Sequence, residues 1–175
     1  MFKDCSSLKI APNLPATILN GSCYDSMFEG CTSLTTPPEL PATTLATSCY
    51  SRMFKGCTSL LTAPELPATT LYSLCYGNMF EGCTSLTIGP DLLATTASTN
   101  IGSTYSGSYH SYKEMFKDCT NLRYVKCLLR DSENSIEIYN WMLYTASDGT
   151  FVKAVGQSWA TGSSGIKSSW TVLEE

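Results

Sequence analysis

The chain has 175 residues, a net charge of −4, and eleven basic side chains that fall singly, as at Lys3, Lys9, Arg52 and Lys55, not in the clustered stripe that tracks nucleic-acid phosphates. No run approaches the roughly 18 apolar residues of a membrane span, and no charged-then-apolar leader opens the chain. Its nine cysteines include no Cys-x-x-Cys pair, so the usual paired zinc ligands are missing.

The dipeptide Met-Phe recurs at residues 1, 27, 53, 79 and 115, a period of 26 that lengthens to 36 at the last step. A fixed period in this range marks a solenoid, in which each repeat buries its apolar face only against its neighbours. Met1 falls where the interior Met27, Met53 and Met79 fall, so the chain reads as a fragment whose first half-coil is missing, with an uncapped N-terminal edge open to self-association.

Within a coil, Leu45, Ala46, Cys49, Tyr50, Met53 and Phe54 follow a spacing read as one face of a two-turn helix, with Thr43 or Thr44 as cap. Gly30, Gly56 and Gly82 stand where such a helix ends in the left-handed region, and Asp4 and Asp118 replace them in the first and fifth coils. A short strand over 59–62 follows, ended by Pro64 and Pro67. The expected fold is therefore an α/β solenoid of about five coils, with a short parallel strand on the concave side and a short helix on the convex side. Strands stack at about 4.8 Å and helices at 8–10 Å, so such an array must curve.

Strand alternation points Leu8, Leu34, Leu60, Leu86 and Leu122 inward. It leaves Ser7, Ser33, Ser59, Ser85 and Asn121 as one concave row, and Lys9, Thr35, Leu61, Thr87 and Arg123 as another. The fourth coil carries an insertion at about 98–110, rich in serine, glycine and tyrosine, after which Ser111-Tyr112-Lys113-Glu114 reads as a capping box. The domains are then a solenoid over 1–121 and a C-terminal α+β capping segment over 122–175. In that segment Val125, Cys127 and Leu129 alternate as a strand, a helix runs from Asn134 and Glu137 to about Tyr144, and strands follow at 150–154 and 170–173.

The cysteines fall into two repeat columns, Cys5, Cys31, Cys57, Cys83 and Cys119, and Cys23, Cys49 and Cys75, and are read as small buried hydrophobes. His110 is the only histidine and has no adjacent acid to orient it, which argues against a nucleophile pair. Glu39, Glu65 and Asp91 repeat as a column of solvated turn residues. The inserted Tyr105, Tyr109 and His110 are either part of a tolerated surface insertion or the centre of a ligand-contacting loop.

The motif Met-Phe-x-Gly-Cys-Thr-Ser-Leu-Thr of 27–35 and 79–87, followed by Pro-x-Leu-Pro-Ala-Thr-Thr-Leu of 38–45 and 64–71, resembles the BspA-like leucine-rich-repeat family in a 26-residue variant. The C-terminal pattern from Gly149-Thr150-Phe151 to Trp170-Thr171-Val172 is similar to the tail that closes such arrays in gut bacteria. The resemblance implies a curved solenoid that is extracellular or attached to the cell surface in host-associated microbes. It carries no catalytic residues and no cofactor or metal. The expected function is non-enzymatic binding or adhesion toward a protein or glycan, host-derived in some relatives. Its candidate contacts are Ser33, Thr35, Ser59, Leu61, Ser85, Thr87, Arg123, Tyr105, Tyr109 and His110. The alternative is a structural spacer or a phage or virion-associated repeat protein.

Overall fold

The computed structural model describes residues 1–97, 110–130 and 138–175. Six short strands occur among them: β1 Thr70–Leu71, β2 Ile88–Leu92, β3 Thr96–Ala97, β4 Tyr124–Cys127, β5 Thr150–Lys153 and β6 Thr171–Glu174. β1 and β3 form one parallel pair, and β2-β4-β5-β6 form a parallel four-stranded sheet. Single parallel bridges, Ile10 to Thr36 and Ile18 to Thr44, mark the same two rails in the earlier coils. The stretch 59–62 forms no strand and makes only isolated contacts such as Leu61 N–H to Thr35 O at 3.1 Å.

There is no helix among the described residues, so the helix-backed α/β leucine-rich-repeat solenoid is overturned. The segment expected to be helical is a chain of overlapping turns. Cys49, Ser51, Met53, Lys55 and Cys57 each donate their amide three residues back within the coil, the last to Phe54 O at 3.0 Å. The amides between them turn outward to the next coil: Ser48 to Ser73 O, Tyr50 to Cys75 O, Arg52 to Gly77 O, Phe54 to Met79 O and Gly56 to Glu81 O, all at 2.7–3.0 Å.

Backbone dihedrals show the cause. Ser48, Arg52 and Gly56 have φ of 56°, 54° and 72°, so every fourth residue is left-handed; Ser22, Ser26 and Gly30 repeat this one coil earlier, and Leu74, Asn78 and Gly82 one coil later. Positive φ at the third residue of a four-residue turn is the type II signature, and it breaks an α-helix at each occurrence. Serine, threonine and tyrosine crowd the segment 47–51, and their weak helix preference leaves little to resist this. The glycine column and Asp4 and Asp118, at φ 60° and 61°, are left-handed as expected, though each closes a turn and not a helix.

The buried residues stack in columns. Phe2, Phe28, Phe54, Phe80 and Phe116 form a ladder of near-parallel rings 5.7–5.8 Å apart, and Tyr24, Tyr50, Tyr76 and Tyr112 form a second at 5.8–5.9 Å. Leu34, Leu60, Leu86 and Leu122 are fully buried in a third column, so the inward assignment of the leucines holds. Both sides of the coil are thus stacked through backbone hydrogen bonds. The mismatch between strand and helix spacing that would force curvature is gone, and with it the basis for a concave face.

β4, β5 and β6 occupy the strand positions expected in the C-terminal segment, but the expected helix does not form where it is described. Instead 138–145 is a further turn unit, receiving Glu114, Phe116 and Asp118 amides on Tyr139, Trp141 and Leu143 carbonyls at 2.8–2.9 Å. Asn140 and Tyr144 are its left-handed residues. Trp141 closes both ladders, 6.4 Å from Tyr112 and 6.2 Å from Phe116, and donates its indole N–H to Gly165 O at 2.9 Å.

Leu60→Ala opens a cavity in a fully buried column and is expected to cost about 2–5 kcal/mol in denaturant unfolding. The far-ultraviolet circular dichroism of the intact chain is expected to lack the helical double minimum; its presence would contradict the turn column.

Candidate functional site

The candidate contacts lie on the strand-side rim of the coils. Thr35, Leu61, Thr87 and Arg123 are exposed, Leu61 by 58%, while Ser33, Ser59 and Ser85 are half-buried beside them. Their order is fixed by the backbone. Leu61 N–H reaches Thr35 O at 3.1 Å, Arg123 N–H reaches Thr87 O at 2.8 Å, and Thr150 N–H reaches Arg123 O at 2.8 Å. The Arg123 guanidinium pairs with Asp148, which holds that carboxyl below the ordinary range. Behind this rim stands the buried leucine column.

Tyr105 and Tyr109, and all of the insertion but His110, lie outside the described residues. His110 is half-buried, its ring stacked on Tyr139 at 5.8 Å, and it does not join the rim. The rim residues are therefore brought into one row, while the inserted loop is not placed against them.

Cys5 and Cys23 are exposed, the other seven cysteines are buried, and all nine are free thiols. Along the first column the thiols are also donors: Cys31, Cys57, Cys83 and Cys119 give S–H bonds to the carbonyls of Phe2, Phe28, Phe54 and Phe80 at 2.9–3.1 Å. Burial pushes Cys49 up to about 11, and Cys57, Cys119 and Cys127 up to about 12. A thiolate nucleophile is thereby disfavoured at neutral pH. The phenol oxygens of Tyr50 and Tyr76 are buried without a hydrogen-bond partner among the described residues, and burial raises the pKa of both groups. Among the described residues no three His, Cys, Asp or Glu side chains converge as metal ligands, and no helix is long and apolar enough to cross a membrane.

The proline turns also enclose two open cavities. A cavity of about 500 Å3 opens between the second and third coils, around Pro37, Pro41, Ala63 and Pro67, with Glu39 and Glu65 on its walls. A second, of about 410 Å3, lies on the other side of Glu65 and reaches Asp91 and Leu93. The recurring Pro-Glu-Leu-Pro of 38–41 and 64–67 was the available signal. What periodicity alone did not convey is that successive proline turns stand apart as walls.

No family model matches the chain, no curated protein is similar to it, and no solved structure resembles it.

Ellman's reagent is expected to titrate two thiols quickly in the native protein and nine in guanidinium; more than two fast thiols would mean that the columns open. The buried thiols also set an alkaline limit. Below the ordinary 9.0 both folded and unfolded thiols are protonated, and the stabilisation is complete. Above it the unfolded chain ionises first, so the melting temperature is expected to fall progressively between pH 9.0 and the range of about 11 to 12.

Proposed function

We propose that the chain is a non-enzymatic binding or adhesion module that recognises a protein or glycan through the strand-side rim of its coils. The observation that carries this reading is the exposed row Thr35, Leu61, Thr87 and Arg123, in which Leu61 is bonded to Thr35 and Arg123 to Thr87 through the backbone, in front of a fully buried leucine column. A surface so fixed loses little freedom on binding, which favours affinity without a deep pocket. Hydroxyl, apolar and guanidinium groups alternate along it, a mixture suited to a polar ligand with apolar patches. The resemblance of the repeat to BspA-like arrays supports placing this activity outside the cell or on its surface.

A second reading, a structural spacer of the kind found in phage or virion-associated repeats, is favoured by one specific observation. The same amide-to-carbonyl pattern runs from Phe2–Met27 through Asp118–Leu143, so the length of the stack follows directly from the number of coils.

Leu61→Asp combined with Thr87→Asp places two charges on exposed positions and is expected to leave the melting temperature nearly unchanged while weakening capture by arrayed matrix proteins and glycans at least about tenfold. Undiminished capture by the doubly substituted protein would remove the rim from the reading and leave the spacer.

A further inference from the structure

Six of the chain's eight prolines, at 37, 38, 41, 64, 67 and 90, line two neighbouring cavities on one side of the coils. Each contributes a carbonyl but no amide N–H, so hydrogen-bond acceptors outnumber donors along this face. The acids Glu39, Glu65 and Asp91 occur once per coil on the same face and are exposed. Lys126 reaches Asp91 at 3.5 Å, whereas Glu39 and Glu65 have no ion-pair partner among the described residues. Between those two carboxylates lies the cavity of about 500 Å3, floored by prolines. The face is thus apolar at its base, negative at its rim and short of donors, the complement of a cation that carries its own N–H groups on an apolar stem.

Successive rings in the buried ladders stand 5.7–5.9 Å apart, and alternate residues of an extended chain recur at about 6.6 Å on one side, a difference that long lysine and arginine stems can take up. We infer that the proline face docks an extended basic peptide running along the stack, with alternate lysine or arginine side chains laid over the prolines and their charged ends on Glu39 and Glu65. This surface adjoins the strand-side rim but uses different side chains, so the two assignments stand or fall separately. Proline fixes the groove walls before the ligand arrives, which lowers the ordering cost of binding.

The test is fluorescence anisotropy of a labelled octapeptide alternating lysine and threonine, titrated with the intact chain. Saturable binding that weakens with salt is expected, and Glu39→Gln with Glu65→Gln is expected to weaken it at least about tenfold. Asp4→Asn with Asp118→Asn removes the same two charges at left-handed positions that asparagine suits, and is expected to bind as the parent does. A peptide with glutamine in place of lysine is expected not to bind. The inference is overturned if both double variants lose binding alike, if the glutamine peptide binds as well, or if the parent fails to saturate below about 1 mM. As a check independent of affinity loss, Glu39→Lys with Glu65→Lys is expected to acquire binding of the alternating glutamate and threonine peptide; failure to do so also overturns it.

Discussion

The division of backbone hydrogen bonds in the turn column is the constraint on which the rest of the molecule depends. Every second amide closes a turn inside its own coil and the amides between are handed to the next coil. An α-helix would consume nearly all of these groups internally and could meet its neighbour only through side chains. Because half are exported, coils on this side approach as closely as strands do, and the rings of Phe54 and Tyr50 come into contact with those of Phe80 and Tyr76. Ring contact, burial of the thiols and S–H donation to the phenylalanine carbonyls all follow from that approach. Its cost is positive φ at residues such as Arg52 and Leu74, about 1–2 kcal/mol each for a side-chain-bearing residue. The exported hydrogen bonds and the buried columns offset it.

Much of this was readable in the sequence, and the part that was misread has an identifiable source. The repeat gave the columns, and alternation along 59–62 correctly sent Leu60 inward and Leu61 outward. The pattern Leu45, Ala46, Cys49, Tyr50, Met53, Phe54 suggests a helix face, yet its period is four residues. At about 100° per residue, Leu45 and Phe54 would stand on opposite sides of a helix; a turn repeating every four residues puts them on one side. The left-handed positions at Gly30, Gly56 and Gly82 were legible because glycine signals them. Those at Ser48, Arg52 and Leu74 were not, since nothing in these side chains favours that conformation and only the packed stack imposes it.

The candidate sites divide along the same line. The rim row follows from alternation and could be read directly, as could its exposure. The cavities beside Glu39 and Glu65 depend on how far apart two proline turns stand, a distance that no spacing rule supplies. With helices gone from one side, the expectation of a curved array with a concave recognition surface loses its geometric ground, but Thr35, Leu61, Thr87 and Arg123 of that surface are exposed. Such a stack presents ordered rows of side chains along its length.

Trp141 occupies the place that Met53, Met79 and Met115 hold in the preceding coils, and its indole spans the ends of both aromatic ladders. Trp159 lies against its far face at 5.6 Å. A coil added beyond that point would have to lay a phenylalanine and a tyrosine where one bicyclic ring and its stacked partner already fill the space. The indole therefore ends both ladders, whereas each coil upstream lays its phenylalanine and tyrosine against rings of the same kind in the next.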